Sequence, residues 1–151
     1  MASTVTPATL TVTLTEAITL NGAAANTSNT LSIASVGEIS RRIYTVATGD
    51  YTTLGTMSAR SPRGGEWTRS DVKYLRITNL DNSNYVALRL VNAGGAKMAV
   101  RLQAGQTFQL SPGYYLSSST AAAPASWSEI DSIEASADTA TVDIEVYVAS
   151  A

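Results

Sequence analysis

The stretch VKYLRITNLDNSNYVALRLVNAGGAKMAVRLQAGQTFQL, residues 72–110, decides the fold. Leu75 and Ile77 alternate with polar neighbours, as do Val86, Leu88 and Leu90, and then Met98, Val100 and Leu102. Successive side chains of a strand point to opposite faces, so this period of two marks three half-buried strands. Register can be read as well, because residues directly opposite one another share a face. A two-residue Gly94-Gly95 turn pairs Leu88 with Arg101 and puts an arginine on the core face. A three-residue Ala93-Gly94-Gly95 loop pairs Leu90 with Met98, Leu88 with Val100 and Val86 with Leu102, with glycine available for the left-handed position. The second register is expected. By the same logic a Leu80-Asp81-Asn82-Ser83 loop pairs Ile77 with Val86 and Leu75 with Leu88, giving a three-strand antiparallel meander.

Alternation recurs on both sides of this stretch. Leu10, Val12 and Leu14 are separated by threonines, and Ile18-Thr19-Leu20 runs into Asn21-Gly22, a turn dipeptide. Residues 23–29 are small and polar and read as a loop. Leu31 to Ile33 and Ile39 to Ala47 read as strands, and residues 55–70, with little periodicity, as a long loop. Val142, Ile144, Val146 and Val148 face one way in a last strand, while Asp143, Glu145 and Tyr147 face the other. Only Ser128 to Ala135 is expected to make a helical turn. About eight strands with Gly, Pro and Asn turns predict one all-β domain over residues 1–151. Its expected form is an antiparallel β-sandwich, jelly-roll-like, with residues 1–8 as an N-terminal arm.

Composition removes most catalytic chemistry. The 151 residues include neither histidine nor cysteine, which excludes Ser-His-Asp triads, cysteine nucleophiles and Cys/His zinc sites. Serine and threonine number 38 and alanine 23, a content suited to a rigid, weakly charged β protein. Met1 to Pro7 has neither the basic nor the apolar region of a secretory signal, and no apolar run reaches the ~20 residues that span a bilayer. Asp81-Asn82-Ser83-Asn84 matches a fragment of a calcium loop but lacks its glycine and terminal glutamate; a turn accounts for the same residues. Glu129, Asp131 and Glu134 could supply paired carboxylates, without an aromatic cleft beside them in sequence. No enzyme activity, cofactor or metal site is expected.

Charge is split along the chain. Residues 41–101 hold all ten bases and four acids, whereas residues 102–151 hold six acids and no base. Such a split suits association of one copy's basic region with another's acidic strand, unless the two sheets neutralise each other inside one molecule. The meander's outer face would present Tyr74 opposite Arg89, Arg76 opposite Ala87, Thr78 opposite Tyr85, and Arg101 beyond Ala87. Arginine and tyrosine among small residues are enriched at protein interfaces, and Arg60, Arg63 and Arg69 on the long loop extend the surface. The candidate protein interface is therefore Tyr74, Arg76, Tyr85, Arg89, Arg101, Arg60, Arg63 and Arg69. Nucleic acid is not the expected partner, since the sequence pI is about 5.0 and the last third lacks any base. Trp67 and Trp127 are either sugar-stacking platforms or caps on an open end of the sandwich.

Three segments carry a family resemblance. Residues 10–22 (LTVTLTEAITLNG), 74–81 (YLRITNLD) and 137–149 (ADTATVDIEVYVA) resemble small virion proteins of marine tailed phages. The likeness extends over most of the chain except residues 55–70 and 117–126. It consists of strand patterns and transfers no functional residues. What it implies is a structural protein of the virion, made in the host cytoplasm and placed on the capsid surface. The implied role is decoration or cement: a trimer or dimer bound to the major capsid protein, with no membrane partner. A neck, tail or fibre-attachment protein is the alternative in the same class, and a carbohydrate-binding module for host-surface glycans the alternative outside it.

Overall fold

The computed structural model of the chain describes residues 5–58, 66–111, 115–116 and 128–151. Among them there is no helix. The strands are β1 (Ala8–Glu16), β2 (Thr19–Leu20), β3 (Ala23–Ala24), β4 (Thr27–Val36), β5 (Glu38–Val46), β6 (Thr52–Ser58) and β7 (Glu66–Thr68). They continue with β8 (Val72–Asn79), β9 (Val86–Asn92), β10 (Lys97–Leu102), β11 (Thr107–Leu110), β12 (Tyr115–Leu116), β13 (Ser128–Ala137) and β14 (Val142–Ser150). Two sheets form the body. One runs β11-β8-β14-β5; the other runs β10-β9-β13-β6-β7, with β12 added on β13. Apart from the parallel β6–β7 pair, every ladder in them is antiparallel. Leaving out the short β7 and β12, the chain changes sheet at every connection but the β9–β10 hairpin. This interleaving of strands is the jelly roll.

Each inner face is built from the alternating apolar residues. Leu75, Ile77, Ile144, Val146 and Val148 on one sheet face Leu54, Val86, Leu88, Leu90 and Ile133 on the other, all at 2% exposure or less. The β9–β10 register is the expected one: Leu90 lies opposite Met98, Leu88 opposite Val100 and Val86 opposite Leu102. Gly95 takes the left-handed conformation in the turn, at φ 81°.

The meander is overturned. β8 pairs with β11 and β14, while β9 pairs with β10 and β13, so Ile77 and Val86 lie in opposite sheets. The apolar pattern of two adjacent strands is the same whether they lie side by side or face each other across a core. What separates them here is the connection. Asp81 accepts the backbone N–H groups of Ser83 (2.7 Å) and Asn84 (2.6 Å), forming an Asx turn. Fully buried Asn79 accepts from Asp81 N and donates to the carbonyls of Asn84 and Leu102, which ties the crossover to the far sheet.

Three further expectations change. Residues 23–29 hold β3 and the start of β4, not a loop, and residues 55–70 hold most of β6 and all of β7. Residues 128–135 are strand rather than a helical turn. The cause is shared in the last two: β13 carries register shifts between Ile130 and Ser132 and between Ile133 and Glu134. Each irregularity changes the phase of alternation, so Ile130 and Ile133, like Leu54 and Met57 on β6, are buried three residues apart. That spacing imitates a helix or no pattern at all. Gly55 has its own reason: a Cβ there would lie 2.1 Å from the Trp67 ring, so only glycine lets the indole cross the strand.

Outside the body, β1 pairs with β4 and β2 with β3, making a hairpin ribbon over residues 8–36. Its turn is Asn21-Gly22, with φ of 51° and 82°, the left-handed pair that a tight hairpin requires. The ribbon is the arm of this structure; of the arm expected over residues 1–8, the first four lie outside the described residues.

Candidate functional site

The outer face of the β11-β8-β14-β5 sheet gathers the densest polar chemistry. Cross-strand register places Arg76 of β8 and Arg41 of β5 on either side of Tyr147, one step from Glu145. Arg41 Nε donates to Glu145 Oε2 at 2.5 Å, and Arg76 Nη2 donates to Oε1. Glu145 is buried at 5% exposure. Burial pushes its carboxyl pKa up, but the hydrogen bonds and charges of Arg41 and Arg76 outweigh this and hold it below the ordinary value. Arg76 also lies 5.3 Å from the Tyr147 ring centre, and Tyr147 meets Tyr74 edge-on at 6.1 Å. The Tyr74 hydroxyl donates to Gln109 Oε1 at 3.3 Å. Burial raises its pKa, with Arg76 opposing.

The base of the ribbon rests on this face. Leu10, Val12, Ile33 and Val36 cluster with Tyr74, Tyr147 and Ala149. Leu10 lies opposite Ile33 and Val12 opposite Leu31, so the ribbon has one apolar face turned to the body. Its other face carries Thr11, Thr13, Thr30 and Ser32, with Thr13 and Thr30 hydroxyls 3.4 Å apart. Beyond Val12 the ribbon leaves its support. Every residue from Thr13 to Ser32 is exposed, including Leu14, Ile18, Leu20 and Leu31.

The residues expected to form one interface are distributed over two faces. Tyr74 and Arg76 lie on the face just described. Arg89 and Arg101 lie on the outer face of the opposite sheet, so the expected facing of Tyr74 with Arg89 and of Arg76 with Ala87 does not occur. Arg89 sits directly across from Glu134 on β13, donates to it from Nε at 2.6 Å, and lies 3.6 Å from the Tyr51 ring centre. Arg101 lies 3.7 Å from the Tyr85 ring centre, and a hydrogen bond to Asp138 raises the Tyr85 hydroxyl pKa. Arg69 follows β7 and donates to Met57 O (2.8 Å), Asp131 Oδ1 (2.6 Å) and Glu129 Oε2 (3.2 Å), clamping β6 to β13. Arg60, Arg63 and Trp127 lie outside the described residues.

These pairs also decide the charge split. Every ion pair among the described residues joins a base from residues 41–101 to an acid from residues 102–151. Four of the ten bases and four of the six acids in residues 102–151 are thus paired within one molecule, which closes part of the dipolar surface expected from sequence.

Trp67 is buried at 7% exposure beneath the sheets, which makes it a cap on the core and leaves no ring face for a sugar. Among the described residues, two clefts border the sandwich. One, about 230 Å³, is lined by Ser40, Arg42, Trp67, Asp71 and Ser150 among others. The other, about 290 Å³, lies between the ribbon (Val12, Leu14, Asn29, Leu31) and the sheet (Tyr74, Gln109, Ser111). The first is smaller than the ~300–1,000 Å³ of small-molecule sites and the second lies at the lower edge of that range. Among the described residues no three Asp or Glu side chains converge as a metal site.

Sequence reasoning missed the ribbon as a unit and Glu145 as a buried charge. The ribbon had a signal: Leu10 and Ile33 are equidistant from Asn21-Gly22, as are Val12 and Leu31. Glu145 had none, because its alternation is that of any solvated strand face. No protein family, curated protein or solved structure matches this chain.

Proposed function

We propose that the chain is a non-enzymatic structural component of a phage virion, a head decoration or cement protein that binds the major capsid lattice as a small oligomer. One observation carries the assembly part of this reading: the ribbon's twenty consecutive exposed residues, Thr13 to Ser32, bear four large apolar side chains. A two-stranded ribbon by itself is marginal in water and needs a surface to lie on. Exposed apolar chains on a projecting element mark a protein contact. The body fits the same reading: Arg41, Arg69, Arg76 and Arg89 are already paired with acids of their own chain, and one continuous apolar core fills the space between the two sheets. The virion part rests on the resemblance of residues 10–22, 74–81 and 137–149.

The test is the copy number of this chain in purified particles, relative to the major shell protein. A number comparable to the shell subunits is expected for a decoration protein. A few copies per particle moves the chain to the neck or tail, and its absence from particles refutes the virion reading.

A further inference from the structure

We infer that the ribbon tip of one copy docks against the β5 edge of a second copy, so that the chain assembles head to tail through one face of its sandwich. This deepens the reading of the chain as an assembly component and rests on it.

The path of the ribbon is the first ground. From Gly37, whose N–H donates to Ser150 O at 2.8 Å, it crosses Ala149, Tyr147 and Tyr74, then borders Gln109 and Ser111 at the β11 side. A register shift between Ala8 and Leu10, with Ser35 at φ 59°, marks a bulge where it departs from the body. The tip thus extends past β11, one end of the sheet, with Leu14 52%, Ile18 53% and Leu20 64% exposed.

The second ground is the opposite end. β5 closes the sheet order at that side, and no further strand pairs with it among the described residues. Its outward residues include Ile39 and Ile43, at 56% and 62% exposure. An edge strand bearing two exposed isoleucines is a template for another chain unless something covers it. The molecule's own ribbon runs away from this edge and cannot cover it.

Charge assigns the occupant. The ribbon holds a single charged residue, Glu16, and no base, while on β5 Arg41, 68% exposed, stands between Ile39 and Ile43 on the same face and shares Glu145 with Arg76, two bases to one acid; Arg42 and Glu38 lie on the other face. An apolar tip with one acid and an apolar edge whose Arg41–Arg76–Glu145 cluster keeps one positive charge in excess match, and both belong to the same chain. Because the two surfaces differ and lie at opposite ends of one sheet, the contact is heterologous; it closes as a ring or continues as a filament.

The experiment is light scattering on the purified chain and two variants, with circular dichroism verifying the fold of each. Wild type is expected at a multiple of 15.8 kDa. Ile18→Asp with Leu20→Asp removes the tip, and Ile39→Asp with Ile43→Asp removes the edge; each variant alone is expected at the single-chain mass. Mixed, they retain one good tip and one good edge between them, and a two-chain species is expected. A monomeric wild type overturns the inference, as does an edge variant that assembles like wild type, which would mean the tips meet each other. If mixing the variants restores nothing, the two surfaces do not recognise one another and the inference also fails. These results are independent of the copy number in particles: a monomer found in particles refutes this contact and leaves the virion reading in place.

Discussion

Replacing Glu145 by glutamine tests how this sheet face is held together. The side chain is 7% exposed and accepts from two guanidinium groups, Arg41 at 68% exposure and Arg76 at 37%. A hydrogen bond to a charged group contributes ~1.5–3 kcal/mol, and breaking a fully buried pair costs ~3–5 kcal/mol. Neither arginine is buried, however, and Glu145 is covered by a single layer of side chains on an outer face. Water therefore compensates the arginines in part, and glutamine keeps the volume and one acceptor oxygen. The expected loss is ~1–2 kcal/mol, around and below the low end of the charged-hydrogen-bond range. For a chain of this size, each kcal/mol shifts the midpoint by ~2–4 °C, so Tm should fall by about 2–8 °C.

The pH dependence gives the same idea a second, independent readout. Glu145 has a folded pKa below its unfolded value, so its contribution is complete above the unfolded value of ~4.3 and is lost as pH falls through the folded one. Unfolding followed by circular dichroism, for wild type and Glu145→Gln from pH 8 to pH 3, should show a constant gap down to about pH 5 and a narrowing gap below it. Comparing the two proteins cancels the titration of every other group to first order. A variant equal in stability to wild type at pH 7, or a gap that stays constant to pH 3, refutes the account of Glu145 as a charge held by two arginines.

Three further outcomes are expected. Gly55→Ala forces a Cβ against the Trp67 ring and should destabilise by ~1–3 kcal/mol with a shifted tryptophan emission; unchanged Tm and emission would show that the indole does not cross β6 there. Asp81 is held below its ordinary pKa by the N–H groups of Asn84 and Ser83. Asp81→Asn should preserve the turn at pH 7 and remove part of the acid sensitivity, whereas Asp81→Ala should speed hydrogen exchange at Ser83 and Asn84; protection unchanged in the alanine variant counts against the Asx turn. Arg89→Ala removes the Glu134 pair and the Tyr51 contact and should cost ~1–3 kcal/mol in urea unfolding, rather than acting only on assembly. Stability equal to wild type would return Arg89 to the list of free surface arginines.

How much was legible in the sequence depended on which physical fact set each pattern. Regular alternation gave the two-sheet class, the last strand and the β9–β10 register, because only one loop length kept arginine out of the core. Alternation could not say which strand lies beside which. Leu75 and Ile77 are buried against the same core as Val86 and Leu88, and the pattern is identical for neighbours in a sheet and for partners across a sandwich. Asp81 and Asn79 make that choice through bonds to backbone groups, which apolar spacing does not record. Bulges hid β6 and β13 by changing the phase, and the face of arginines and tyrosines dissolved once its strands were assigned to different sheets.

That dissolution alters where recognition should be sought. Ion pairs join Arg41 and Arg76 to Glu145, Arg89 to Glu134, and Arg69 to Glu129 and Asp131, so the charges most visible in the sequence serve the fold. A guanidinium committed to a carboxylate on the next strand gives up that bond before it can serve a partner, and a contact built on it gains correspondingly little. The ribbon tip and the β5 edge carry the opposite endowment: Ile18 and Leu20 on the one, and Ile39 and Ile43 on the other, are exposed apolar side chains outside both core clusters. Burying them loses nothing the fold already has. Selectivity between these surfaces then rests on apolar shape and strand edge, with Glu16 and the one excess positive charge of the Arg41–Arg76–Glu145 cluster setting the direction of approach at long range.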